Sequence, residues 1–285
     1  MQKLNIIILG SLKWLDECVR ELNSKKIKPI KVFLPNDRNN SVSINLLKKL
    51  NIDFEIVASI NKNYKKISML KPDLILCFAF PEILNKDVLS IAKYGNINFH
   101  SSDLPRFRGR HPVNWAMIRG EKTIGICAHF MNEKIDLGDI VLRDYVIIDR
   151  DDQIVDVMKK LTNKMKKMAI TVIKQVSSNC LYKAAQDLNL SSYDRKREEK
   201  DSKINWNLST LEIHRFINAL SNPYPNAFCS KKDKDEIFKF SKSSIGKTVG
   251  QVLAKTIDGR VVISAKDGVL LLKANKKLNV GDILE

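Results

Sequence analysis

The chain has 285 residues, 44% of them hydrophobic and 28% charged, and its 49 Lys and Arg against 32 Asp and Glu leave a formal charge of +17. This much apolar material can build a core without disulfide or metal staples, and charge dispersed among apolar runs excludes a wholly disordered polyelectrolyte. No apolar run approaches the roughly 18 residues a membrane helix requires. The start, MQKLNIIILG, enters an apolar strand pattern without a basic leader and cleavage site, so a cytoplasmic protein with no membrane partner is expected.

The positive excess is mostly lysine, 37 Lys to 12 Arg, and is spread over both halves of the chain. Such charge attracts anions and suits a nucleic-acid partner, but biased composition accounts for it equally well. Only Arg106, Arg108 and Arg110 cluster as a phosphate-forking group would. The five cysteines (Cys18, Cys77, Cys127, Cys180 and Cys229) form no CxxC pair, and their wide spacing indicates neither a zinc knuckle nor another metal set. Cys77 and Cys127 lie in apolar segments and read as small core residues in a reducing compartment.

Residues 4–10, LNIIILG, read as a first strand and 12–22 as a helix. A second strand is expected over 28–34, a helix over 42–50, and short strands at 53–58 and in DLILCFAF, 73–80. Alternating apolar strands and amphipathic helices imply an α/β domain whose mostly parallel sheet is buried on both faces. The turn after the first strand, GSLKWLDE, lacks the GxGxxG spacing that lets backbone approach a pyrophosphate, so a Rossmann-like sheet without a dinucleotide is expected. Strand NINFH, 96–100, leads into SSDLPRFRGRHP, a loop marked by Pro105, Gly109 and Pro112. A helical turn at 113–119, strands at 124–130 and 140–148, and an amphipathic helix over 151–176 follow.

The polar stretch LSSYDRKREEKDSK has no periodic core face and reads as a linker. The expected division is therefore an α/β domain over 1–190, a linker over 191–203 and a C-terminal part over 204–285. That last part opens with a helix, 208–220, capped near Leu208 or Ser209. Period-two runs then separated by DG turns at 258–259 and 267–268 make it small and β-rich.

Asn98 and His100 stand two apart on one predicted strand, so they share a face at its C-terminal end, where open α/β sheets place ligands. An amide can donate to a developing oxyanion while an imidazole accepts a proton near neutral pH; the same pair could instead cap the strand and its loop. Asp136, in NEKIDLGDI, could orient His100 or form an ordinary Asx-turn.

The run NINFHSSDLPRFRGRHPVNWAMIRGE, followed by GICAHFMNEKIDLGDIV, resembles the formyltransferases that use N10-formyltetrahydrofolate. The resemblance assigns catalysis to Asn98, His100 and Asp136, and its LPxxRG element falls on Leu104, Pro105, Arg108 and Gly109. It implies that an acceptor amine attacks the formyl carbon while Asn98 donates to the intermediate's oxygen, His100 takes the amine proton and Asp136 sets the tautomer and charge of His100. It also implies an apolar pterin slot built largely by the backbone of CFAFPEIL and NEKIDLG, with Phe78, Phe80, Ile83, Leu84, Asp136 and Gly138 as cofactor-binding residues and no metal; Phe78, Phe80 and Ile83 read equally well as core. The stretch KINWNLSTLEIHRFINALSNPYPNAF is similar to the join before the second domain of methionyl-tRNA and amino-sugar formyltransferases, which implies a barrel-like form for the β-rich C-terminal part.

Methionyl-tRNA enzymes usually continue RGAAPI after the shared loop, whereas RGRHPVNW is similar to enzymes that formylate a nucleotide-linked amino sugar. Substrate-binding roles follow from this for Ser102, Arg108, Gly109, Arg110 and Trp115, and for His129 in AHFM; Tyr224 and Phe228 are further candidates near the join. The stretch LPNDRNNSVS, where tRNA enzymes carry a long basic loop, has only Arg38. The resemblance thus implies an amino-dideoxyhexose acceptor for surface polysaccharide such as lipopolysaccharide O-antigen, and a homodimer. Methionyl-tRNA, the nucleic-acid partner that the charge would suit, is the alternative.

Overall fold

In the computed structural model the described residues are 3–36, 40–231, 234–240, 245–246, 252–256 and 258–284. Arg38 therefore lies outside them, as do the first three residues and the last of the run VGQVLAKTI. The chain divides into two compact units, one made of Met1–Gly109, Gly125–Tyr145 and Lys160–Tyr193, the other of Arg110–Ile124, Val146–Lys159 and Asp194–Glu285.

The strands that build the first half are β1 (Ile6–Gly10), β2 (Lys31–Pro35), β3 (Phe54–Val57), β4 (Leu74–Phe78), β5 (Asn96–His100), the two-residue β6 (Arg108–Gly109), β7 (Thr123–Phe130) and β8 (Ile140–Ile147). Between them run α1 (Leu12–Ser24), α2 (Ser41–Lys49), α3 (Tyr64–Met69), α4 (Lys86–Leu89) and α5 (Pro112–Arg119), and α6 (Ile154–Ser177) follows β8. Seven strands form one sheet in the order β3-β2-β1-β4-β5-β7-β8. Those from β3 to β5 pair in parallel and β7 runs antiparallel to β5.

Every residue of β1 and β4 is buried, which explains their unbroken apolar runs: a strand covered on both faces has no polar side to show. Alternate residues Ile7, Leu9, Ile75 and Cys77 share one core cluster with Ile67 of α3 and Val88 of α4. Burial pushes the Cys77 thiol up to about 12, so it is an inert core group. The chain leaves β1 for β2 and β3 on one side and returns through β4 and β5 on the other, and such a reversal opens a crevice at the strands' C-terminal ends.

The second unit has its own core, in which Ile213 and Ile217 of α7 (Thr210–Ala219) join Ile204, Trp206, Val261, Ile263, Leu270 and Leu272. Its α5 is tied to α7 by the Asn114 amide, which donates to the Ala219 carbonyl at 2.7 Å. After the two-residue β9 (Tyr193–Asp194), the strands are β10 (Ala227–Lys231), β11 (Lys234–Phe240), β12 (Ile245–Gly246), β13 (Val252–Lys255), β14 (Val261–Ala265) and β15 (Gly268–Leu272). They form a pair, β10-β11, and a four-stranded sheet, β12-β15-β14-β13.

The stretch 191–203, read above as a linker, is ordered by polar pairing, which leaves no hydrophobic period. Asp194, Arg197 and Ser202 are buried there. Arg195 forks the Asp201 carboxylate at 2.6 and 2.7 Å and holds that carboxyl well below its ordinary range.

Candidate active site

Strand β5 ends in the sequence Asn98-Phe99-His100. The two-residue period sends Phe99 to one face, where it stacks on Phe78 with ring centroids 4.7 Å apart, and sends Asn98 and His100 to the other. The register pairs Asn98 with His129 and His100 with Cys127 on β7. Cross-strand partners share a face, so His129 joins the two candidates.

Asp136 comes from the loop between β7 and β8. Its Oδ1 lies 3.6 Å from His100 Nδ1 and 3.6 Å from His129 Nε2, ion-pair distances rather than hydrogen bonds. Its Oδ2 accepts the Gly109 N–H at 3.0 Å. The loop bends back onto the end of β7 so closely that a Cβ at Gly138 would stand 1.8 Å from the Phe130 carbonyl oxygen, and only glycine fits. Asp136 itself has φ 56, and in the same unit Ala79 and Phe107 have φ 54 and 57. Left-handed backbone costs a residue with a Cβ about 1–2 kcal/mol, and strain of this kind gathers where loops are shaped for a ligand.

Hydrogen-bond partners fix both tautomers. His129 Nδ1 is 2.8 Å from the Phe130 carbonyl, which can only accept, so Nδ1 carries the proton and Nε2 accepts from the Asn98 amide at 3.1 Å. Burial dominates over the Asp136 charge and pulls the His129 proton affinity down to about 4, keeping the ring neutral. His100 Nε2 lies 3.1 Å from the Phe107 carbonyl and donates to it, which leaves Nδ1 as the proton-accepting atom on the Asp136 side. The tautomer expected from Asp136 is thus set by Phe107. Together these groups supply an amide hydrogen on Asn98 with no partner among the described residues, an imidazole nitrogen that carries no proton and a carboxylate facing it.

Several expectations are corrected. Phe78 and Leu84 are buried, with 0% and 2% exposure, and for Phe78 this fits the core reading that the sequence left open. Phe80 packs partly buried on the cluster that holds Leu84, while Ile83 is exposed. Ser102 is fully buried and donates to the Arg106 carbonyl at 2.9 Å, so its hydroxyl shapes the loop. His129 is likewise buried, and its ring is spent on Asn98 and Phe130. Arg108 donates through Nε and Nη2 to the Ile135 carbonyl at 3.1 and 2.9 Å, binding the Asp136 loop.

At and beside the two stretches expected to hold a pterin, Phe80 and Met131 pack on one cluster, and Lys86 pairs with Glu133 at 3.5 Å. Ile83 and Ile135 are exposed. Sequence reasoning missed Phe107, whose carbonyl orients His100, and Ser192, whose hydroxyl accepts the Phe107 N–H at 2.8 Å and whose carbonyl accepts the Arg108 N–H at 2.9 Å. Neither residue carries a side-chain signal for such a role.

In the second unit, Arg110 is exposed beside His111 and Trp115 is half-buried. Trp115 donates its indole N–H to the Arg195 carbonyl at 3.1 Å, and the guanidiniums of Arg197 and Arg119 lie 5.0 and 5.4 Å from its ring centroid. Burial first, then the cations Arg197, Lys196 and Arg110, make His111 harder to protonate, so positive charge converges there. Among the described residues no group of three His, Cys, Asp or Glu could hold a metal ion, and no helix is long and apolar enough to cross a membrane.

A family model for formyl transferases matches residues 3–173, and a model for the formyl transferase C-terminal domain matches 196–283. The chain belongs to this family, with a Rossmann-like sheet and a small strand-rich C-terminal part. It is an N-formyltransferase, an enzyme that moves a formyl group onto an amine. It is 33% identical over 244 residues to the bifunctional polymyxin resistance protein ArnA of Wigglesworthia glossinidia brevipalpis, a match covering 83% of this chain and 37% of that protein. Methionyl-tRNA formyltransferase of Clostridium tetani is 32% identical over 253 residues, covering 84% of this chain and 80% of the relative. Among solved structures, the sugar 3N-formyl transferase WlaRD, crystallised with dTDP and 5-N-formyl-THF, superposes with a TM-score of 0.74 at 19% identity, covering 98% of this chain and 100% of that one. An N-formyltransferase from Helicobacter canadensis in complex with folinic acid and dTDP-3-aminofucose gives 0.71 at 18% identity over 98% and 99% of the two chains.

Proposed function

We propose that the enzyme takes its formyl group from N10-formyltetrahydrofolate and delivers it to the free amine of a nucleotide-linked amino-dideoxy sugar destined for surface polysaccharide. The folate co-substrate supplies the activated one-carbon group; the chain's residues arrange the transfer. Asn98 uses its second amide hydrogen to meet the oxygen that gains charge as the amine attacks. His100 accepts the amine proton at Nδ1 and Asp136 steadies the imidazolium; that proton then passes to the folate nitrogen as its bond to the formyl carbon breaks, which releases tetrahydrofolate and returns His100 to its neutral form. Because the neutral amine is the nucleophile, turnover falls as acid protonates it.

The observation that carries the sugar reading is the gathering of Arg110, Lys196 and Arg197 around His111, beside a half-buried Trp115. Cations with an aromatic face suit a nucleoside diphosphate, and the WlaRD and Helicobacter canadensis enzymes bind dTDP ligands. One observation favours a second acceptor, methionyl-tRNA: formyltransferases of that class reach 29–34% identity with this chain. The deciding assay offers the purified enzyme formyl donor with dTDP-linked amino sugars and, separately, with charged initiator tRNA, and looks for the mass gain of one CO. Formylation of tRNA alone would reverse the choice of acceptor. A cytoplasmic homodimer is proposed as the working form, and light scattering at assay concentration tests the assembly.

A further inference from the structure

Gln186 belongs to none of the motifs that suggested the site. It stands two residues beyond Ala184, whose N–H and carbonyl pair with Ile140 at 2.9 and 2.8 Å, so the chain here lies against the first residue of β8. That bridge delivers the Gln186 side chain to the end of the loop carrying Asp136. Its Nε2 lies 2.9 Å from the Asp136 carbonyl and 2.7 Å from the Gly138 carbonyl. Both carbonyls can only accept, so the amide must turn its NH2 toward them and give one hydrogen to each. Among the described residues its own Oε1 is then buried with no hydrogen-bond partner. Leaving an acceptor unpaired is costly, so the loop's two carbonyls, not the comfort of the amide, dictate how it sits.

The loop needs such a restraint. Asp136 holds φ 56, and Gly138 presses against Phe130 with no room for a side chain. Arg108 grips the Ile135 carbonyl through two N–H groups at 2.9 and 3.1 Å, and Gln186 caps the next two carbonyls in reach. Between these grips projects the carboxylate that accepts the Gly109 N–H and faces His100.

We propose that Gln186 is a positioning residue: its amide, spanning the carbonyls of Asp136 and Gly138, holds the left-handed turn that aims the Asp136 carboxylate at His100. This rests on reading Asp136 as part of the reacting cluster. The test uses the full-length enzyme in three forms, wild type, Gln186→Met (matched in length, without donors) and Asp136→Ala. Two readouts are taken, the 1H–15N resonance of the Gly109 amide and the steady-state constants with a dTDP-linked amino sugar, or with methionyl-tRNA should that be the acceptor.

Gln186→Met is expected to move the Gly109 resonance toward its position in Asp136→Ala and to lower kcat about 10- to 100-fold with KM nearly unchanged, the scale on which supporting partners act on a reacting group. A merely structural role would lower Tm and leave the resonance and the kcat–KM split alone. Should Gln186→Met not fold, Gln186→Glu has the same shape but sets a carboxylate against both carbonyls, and the same two changes are expected of it. A wild-type Gly109 resonance and kcat in the folded Gln186 variant, while Asp136→Ala alters both, overturns the role of Gln186 and leaves Asp136 standing. Near-normal kcat in Asp136→Ala removes the underlying reading, and this failure appears in a variant whose Gln186 is intact.

Discussion

Asn98 donates one amide hydrogen to His129 Nε2 at 3.1 Å, and that contact decides which way round the amide sits. With its orientation settled in advance, the other hydrogen is ready for an oxygen that becomes charged, which is what makes such a donor effective. Asn98→Ala is therefore expected to cost about 10²–10³ in kcat, measured against the formyl acceptor, with the fold intact by circular dichroism. His129 yields a separate prediction about stability. Its folded proton affinity, pulled by burial to about 4, lies below the ordinary 6.5, so between those values the unfolded chain binds a proton that the native chain refuses. Stability consequently rises with pH through this window and is lost as pH falls from about 6.5 toward 4, by roughly 1.4 kcal/mol per unit at most. Urea unfolding of wild type and His129→Gln at pH 7 and near 4.5 checks this: the wild type should lose more, and parallel losses would contradict a neutral buried ring.

Among the elements, the loop between β7 and β8 and the helix α7 show two different ways of being specified. The loop depends on a single close approach. In Gly138→Ala the new Cβ would start 1.8 Å from the Phe130 oxygen, so the loop must shift and carry the Asp136 carboxylate with it. We expect at least a tenfold fall in kcat, together with a lower Tm in differential scanning calorimetry. Helix α7 depends instead on local chemistry. The Ser209 side chain accepts from the Glu212 N–H while the Glu212 carboxylate accepts from the Ser209 N–H at 2.8 Å, a reciprocal cap. Ser209→Ala should cost about 1 kcal/mol in urea unfolding and leave kcat unchanged.

For the whole molecule, the charge of +17 acquires a meaning only through salt dependence. A polyanionic acceptor that releases many counterions would make log kcat/KM fall steeply with log salt, whereas a nucleoside diphosphate with two phosphates gives a slope of about 2 or less. The sugar reading therefore predicts a shallow dependence between low and physiological ionic strength, and a steep one would favour tRNA. The cluster of Arg110, Lys196 and Arg197 belongs to the same question, since its members come from sequence segments about 85 residues apart and meet only within the second unit.

The alternation of apolar strands and amphipathic helices was enough to indicate the α/β sheet, because strands buried on both faces read as continuous hydrophobic runs. The pairing of Asn98 with His100 on one face was equally legible, since it follows from the two-residue period of a strand. What folding alone decided was everything that depends on groups brought together from a distance. The distance of Asp136 from His100, the buried position of His129, and the capture of Phe107 by Ser192 involve positions 31 to 85 residues apart, and no local periodicity encodes them. The polar stretch over 191–203 illustrates the reason most directly. Side chains that order themselves by hydrogen bonds and ion pairs leave no hydrophobic rhythm, so Arg195 and Asp201 show no sequence signal of the carboxylate–guanidinium pair they form.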